Sequence, residues 1–335
     1  MNAARILALT LLATASFGAP AQADDFYQGK TLSLVVGYSA GGGYDINARL
    51  ISRHFGRHIP GNPGVVVVNM PGAGSLRSIE HLERHAPRDG TVVNMFDYTQ
   101  ITNSLLTPDK VPIDFRRFKW IGSVAQDLAV CYVWHTVKAR TIADLQRLPQ
   151  IHMGRTNPGT SSDTQQRILR KLFNVNVHSV AGYGGSAEAF IAVERGELEG
   201  GCMTWASLPP AWISGNKITP IMRVTSATAP DLPAYVPSAF DLLERERDRK
   251  ILRALSAAGE IGKPLVSHLT VPDERVQILR NAFAAMMRDP AFLADADKVR
   301  QNISPTIGDS ALKIVEEIYA SPADVVEAAR AIAIE

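Results

Sequence analysis

Residues 32–50, LSLVVGYSAGGGYDINARL, restrict the fold more than any other stretch of the chain. Leu34, Val35 and Val36 form an apolar, β-branched run, too short for a buried helix and suited to an interior strand. Residues 39–43 then make a glycine-rich turn. Asp45 stands where a helix N-cap is expected, ahead of Ile46, Leu50 and Ile51 at helical spacing. Strand, glycine turn and helix start in this order leave backbone N–H groups pointing outward, at the end of a helix that carries partial positive charge. Such a place holds an anion without lysine or arginine. The stretch reads as one half of a carboxylate-binding site.

The same design recurs. Residues 65–68 read as a second buried strand, followed by the turn NMPGAGS and a helix over 76–85; a third strand spans 91–96. Further on, the strand 151–154 meets the polar turn RTNPGTSS and a helix over 163–173, and the turn AGYGGS opens a helix over 187–195. Strands alternating with helices predict a parallel or mostly parallel sheet covered on both faces.

The start of the chain has the features of a secretory signal: Arg5, an apolar run over 6–17, and Ala21-Gln22-Ala23 as a cleavage site. Cleavage after Ala23 leaves about 312 residues, enough for two lobes with separate cores. We expect residues 1–23 to be the signal peptide, 24–124 with 256–335 to form lobe 1, and 125–255 lobe 2, hinged near Ser123 and Ser256. Helices over 272–287 and 309–319 are expected to pack on lobe 1. The chain has 35 basic and 33 acidic residues. Removing Arg5 leaves 34 minus 33, a formal +1, and that balance argues against a nucleic-acid partner. Cys131 and Cys202 are open to two readings, a disulfide in an oxidising compartment or two buried thiols on neighbouring strands.

Four blocks carry a resemblance to a known family: VVGYSAGGGYDINARL, VVVVNMPGAGS, the pair GTSSDTQQRILRKLF and VAGYGGSAEAFIAVERGELEG, and RVTSATAPDLPAYVP. Spread over most of the length, they resemble the Bug-type periplasmic solute receptors of tripartite tricarboxylate transporters. The resemblance implies a type II-like two-lobe α/β fold of the Venus-flytrap kind. Its lobes would close over a small carboxylate held by backbone amides and hydroxyls, and a membrane permease would be the partner. It implies a periplasmic, monomeric protein with no cofactor. Two departures, Asp163 where the family often has histidine and Gly184 where lysine is frequent, lower the positive charge near the ligand.

The site expected from turns and resemblance together comprises Tyr38, Ser39, Gly41, Gly42, Tyr44 and Asp45 in the first lobe. In the second it comprises Arg155, Thr156, Gly159, Thr160, Ser161, Ser162, Tyr183 and Trp205. Asp45 is expected to organise the turn rather than touch an acidic solute. His54, His58, His81 and His85 have helical i, i+4 spacing but lie among arginines, which reads as a solvated basic surface rather than a metal site. GYSAGGGYD lacks the phosphate-loop lysine and the last glycine of G-x-G-x-x-G, and the chain has no H-E-x-x-H. A ligand sensor for a signalling receptor, or an α/β enzyme acting on an acid, are the alternative readings.

Overall fold

The computed structural model describes residues 25–333, so the expected signal segment and its cleavage point lie outside the described residues. Eleven strands are described: β1 (Thr31–Val36), β2 (Gly64–Asn69), β3 (Val92–Met95), β4 (Lys119–Ser123), β5 (Ala129–Trp134), β6 (Ile151–Gly154), β7 (Val177–Val180), β8 (Gly200–Thr204), β9 (Ile218–Arg223), β10 (Pro264–Ser267) and β11 (Thr306–Ile307). They form two sheets, ordered β11-β4-β10-β3-β1-β2 and β7-β6-β8-β5-β9.

Both sheets are mixed rather than mostly parallel. In the first, β1 runs parallel to β2 and β3. β10, returning from the second lobe, is antiparallel to β3 and β4. In the second, β6 is parallel to β7 and β8, while β5, arriving from the first lobe, is antiparallel to β8 and β9. The antiparallel pairings belong to the strands that carry the chain between lobes, which helix-connected βαβ patterning does not describe.

Each sheet is covered on both faces. Leu32, Leu34 and Val36 of β1 pack with Leu50, Ile51 and Phe55, whereas Val35 faces Phe96 and Trp120. In the second lobe Cys131 and Val133 pack with Leu169 and Phe173, and Val130, Tyr132 and Trp134 pack with Phe190 and Trp212. Alternation along β1 and β5 thus supplies two cores per sheet. Cys131 and Cys202 face each other across β5 and β8 and are joined as a disulfide.

Two paired segments connect the lobes. Asp127 N–H donates to Gly259 O at 2.7 Å and Gly262 N–H to Ala125 O at 3.1 Å. A third connection comes from the last helix, Ala323–Ala333. The division at 256–335 groups it with lobe 1, but its buried face, Ala329 and Ile332, packs in the second-lobe core with Leu169 and Leu252. Arg330 Nε also donates to Leu106 O at 2.8 Å. Two earlier helices, Asp273–Met286 and Asp309–Tyr319, pack on the first sheet through Leu279, Phe283 and Val315.

Candidate ligand-binding cleft

The two glycine turns are built to one plan. In the first lobe the helix Gly43–His54 follows N-cap Gly42, and Asp45 sits in its first turn rather than at the cap. Its carboxylate accepts Gly41 N–H at 2.8 Å, Asn69 Nδ2 at 2.9 Å and Arg49 Nε at 2.8 Å. In the second lobe the helix Ser161–Phe173 follows N-cap Thr160. Asp163 accepts Gly159 N–H at 2.8 Å, Arg167 Nε at 2.9 Å and Arg155 Nη1 at 2.7 Å. Gly-x-x-x-Asp-x-x-x-Arg therefore occurs twice, and each aspartate ties its turn to its helix. Burial pushes the Asp45 carboxyl up, but the hydrogen bonds from Arg49, Gly41 and Asn69 outweigh it and leave it below the usual carboxylate range.

The turns face each other closely. Ser39 N–H donates to Gly184 O at 3.2 Å, Ser39 Oγ to Glu188 Oε1 at 2.7 Å, and Gly43 N–H to Ser186 Oγ at 3.3 Å. A side chain at Gly43 or Gly185 would force a neighbour to shift: a Cβ on Gly43 would lie 2.7 Å from Ser207 Cβ, and one on Gly185 2.7 Å from Ser39 Oγ. Between the turns lies a cavity of about 40 Å³. The first lobe lines it with Tyr38, Gly42, Gly43 and Tyr44, and the second with Thr156, Ser161, Ser162, Gly185, Ser186, Met203, Thr204 and Ser207; Lys263 completes the wall from the lobe connection.

Tyr38 and Tyr44 stack with ring centroids 4.8 Å apart. Tyr38 Oη donates to the buried Asp97 carboxylate. Burial and the Asp97 charge hold its phenol well above its ordinary range, so it remains a donor. Tyr98 Oη donates to Asp127 Oδ2 at 2.6 Å and is held up in the same way, by burial and then by the Asp127 charge.

Lys263 is the cation of the cavity, and only 2% of its surface is exposed. Its ammonium lies 3.5 Å from Asp127 Oδ1, 3.2 Å from Gly262 O, 3.5 Å from Thr204 Oγ1 and 4.6 Å above the centre of the Tyr44 ring. All three polar contacts exceed the 2.7–2.9 Å typical of a strong charge-assisted bond. The wall is thus not made of backbone and hydroxyls alone, as the turns suggested; it includes a buried basic side chain.

Of the fourteen residues expected at the site, Tyr38, Gly42, Tyr44, Thr156, Ser161 and Ser162 line the cavity. Ser39 lies beside it, bonded across the cleft to Glu188. Gly41, Asp45, Arg155 and Gly159 form the turn frameworks behind the wall. The Thr160 hydroxyl is turned inward to Asn157 O and Thr156. Tyr183 packs against the Trp212 cluster, and buried Trp205 donates its indole N–H to Asp231 at 2.9 Å.

Lys263, Ser186, Ser207, Thr204 and Met203 were not evident in advance. A signal for Lys263 did exist, as the one charge between Ile261 and Leu265, just ahead of the apolar strand β10. Among the described residues no group of histidine, cysteine and carboxylate side chains is placed to hold a metal. A larger cavity, about 500 Å³, opens at the lobe connection and is lined by Asp127, Arg249, Arg253 and Glu260 among others, away from both turns.

Two α/β lobes, paired crossings and a cleft at facing helix N-termini define the fold of a periplasmic binding protein. The chain superposes on the periplasmic binding protein BugD with a TM-score of 0.75 and 18% identity, covering 92% of this chain and 99% of that one. It also superposes on MatC of Rhodopseudomonas palustris, solved with bound malate, with a TM-score of 0.71, 17% identity and coverage of 89% and 99%. In sequence it is 22% identical over 306 residues to a UPF0065 protein of Agrobacterium vitis, covering 85% of this chain and 86% of that one. A UPF0065 protein of Cupriavidus necator is 38% identical over 88 residues, 26% of either chain. No protein-family model matches. The resemblance seen in four sequence blocks thus extends to the whole fold.

Proposed function

We propose that the chain is a Bug-type periplasmic receptor that captures a small carboxylate between its lobes and delivers it to the permease of a tripartite tricarboxylate-type transporter. The observation that carries this reading is the shared cavity: Gly42 and Gly43 of one lobe and Ser161, Ser162 and Ser186 of the other wall one space, with Lys263 at its edge. Malate and adipate are the ligands named for two proteins of this fold, both from Rhodopseudomonas palustris. The reading includes export by the signal segment, a monomeric receptor, and binding rather than turnover.

Closure would supply the affinity. Water leaves, the local dielectric falls, and each charge-assisted hydrogen bond contributes about 1.5–3 kcal/mol net. Two or three such bonds with packing reach roughly micromolar affinity. Thermal-shift and calorimetric titration of the purified protein against a carboxylate panel tests the proposal. At least one acid should raise the melting temperature, and Lys263→Met should lose most of that affinity. A panel without a single binder, or an acid bound equally well by Lys263→Met, would count against this site.

A further inference from the structure

The cleft already contains a carboxylate of its own. Asp97, fully buried in the first lobe, accepts Tyr38 Oη, Thr99 N–H at 3.0 Å and Thr99 Oγ1 at 2.6 Å. It also accepts Ser161 N–H at 3.1 Å and Ser161 Oγ at 3.0 Å, from the leading turn of the second-lobe helix. Five hydrogen bonds from both lobes thus converge on the Asp97 carboxylate, two of them from backbone amides. Among the described residues no cation pairs with it. Tyr38 and Ser161 both line the cavity, which puts the Asp97 charge one hydrogen bond behind the wall. The anion-binding end of that helix is thereby taken by the chain itself.

Two further acids stand behind the same wall without lining the cavity. Asp127 faces Lys263 but is already held by Tyr98 Oη and Thr204 Oγ1, so the loosely held ammonium is available to a ligand. Glu188 keeps one oxygen buried and without a hydrogen-bond partner, 3.4 Å from where a Cβ on the cavity-lining Gly185 would stand. Arg155 and Arg167 are engaged by Asp163 and do not line the cavity. Against one lining cation, the cleft thus sets Asp97, Asp127 and Glu188. A single carboxylate finds Lys263 and the Ser186 hydroxyl. A second carboxylate meets uncompensated negative charge, whereas a hydroxyl or amino group meets unused acceptors. The cavity of about 40 Å³ also favours a short acid.

We infer that the ligand is a short monocarboxylate carrying a hydrogen-bond donor, a hydroxyl or amino group, and that Asp97 excludes dicarboxylates; this rests on the carboxylate-receptor reading above. Calorimetric competition on the full chain decides it with matched probes: L-lactate against malonate, and 3-hydroxybutyrate against succinate. In each pair the hydroxy acid is expected to bind at least tenfold tighter, and Asp97→Asn to narrow the gap below threefold. Lys263→Met should weaken the hydroxy acid at least tenfold. If Asp97→Asn fails to fold, the wild-type comparison still decides. Diacids that bind wild type as tightly as their partners, or more tightly, overturn the inference and leave the receptor reading intact. Failure of all four while a longer acid binds overturns the inference alone, and failure of a whole carboxylate panel overturns both.

Discussion

Ser161 gives both its amide and its hydroxyl to Asp97, at 3.1 and 3.0 Å, across the line where the two lobes meet. One residue of the second-lobe helix is thereby fixed to the strand-end loop of the first. The residue that joins the lobes here also lines the cavity between them.

Closure depends on glycine at the contact points. Gly43→Ala places a Cβ 2.7 Å from Ser207 Cβ, so the lobes cannot reach the same separation. The turn itself stays intact, since Gly43 begins a helix that accepts alanine. The expected outcome is a folded protein with near-normal melting temperature, ligand affinity lowered at least tenfold, and no ligand-induced decrease in radius of gyration by small-angle scattering. Normal affinity would mean that the lobes do not need this approach.

The two turn aspartates should differ in how much stability they contribute. Asp163 is buried against Arg167, itself only 8% exposed in its side chain, and against Arg155. Asp45 pairs with the half-exposed Arg49. Removing one partner of a buried pair costs about 3–5 kcal/mol, whereas an exposed partner adds about 0–1 kcal/mol. Asp163→Asn should therefore destabilise by about 3 kcal/mol in urea titration, and Asp45→Asn by about 1–2 kcal/mol, mostly from its hydrogen bonds to Gly41 and Asn69. Equal losses would refute the difference drawn between the lobes.

The disulfide closes a long loop, 71 residues apart in sequence, inside the second-lobe core. Constraint of the unfolded chain by such a link amounts to about 2–4 kcal/mol. The Cys131→Ser, Cys202→Ser double variant should lose roughly that amount in denaturant titration, and a reducing agent should then have no further effect. An unchanged midpoint would show that the link adds nothing to stability.

Acid should weaken the fold through carboxylates held below their ordinary range. Asp289 caps the helix Pro290–Lys298 through Ala291 N–H at 2.9 Å and takes bonds from Arg57 and His58. The Ala291 amide, with Arg57 and His58 outweighing the effect of burial, lowers its pKa to about 2. Asp295 is lowered in the same direction, with bonds from Lys298 and His54. Each folded value lies below the unfolded one near 3.9. The stabilisation is therefore fully present above about pH 4 and is lost as pH falls towards about 2. Melting temperature followed from pH 5 to pH 2 should drop over this window, and Asp289→Asn should flatten the drop. A variant that tracks wild type would contradict the assignment.

Much of this was legible in the sequence because local rules suffice for strand, turn and helix start. The βαβ alternation and the two glycine turns follow from periodicity and turn chemistry, and their meeting at one cavity follows from the two-lobe fold. What was not legible depends on packing at a distance. Lys263 lies outside every turn and is brought to the cleft by the return strand β10. Asp97 is an ordinary strand-end residue until Ser161 is folded against it. The last helix has an amphipathic pattern that fits either lobe, and only the position of Leu252 and Leu169 decides which core it completes. Aspartate favours the cap position, yet Gly42 takes it and leaves the Asp45 carboxylate free to bind Gly41 N–H.

The most direct test of a carboxylate held between the lobes is its position in crystals grown with a saturating acid that binds. The account predicts electron density in the cavity walled by Tyr44, Ser162 and Ser186, with a carboxylate oxygen about 3 Å from Lys263 Nζ. Density at the larger cavity beside Arg249 and Arg253, with the cleft filled only by water, would contradict it.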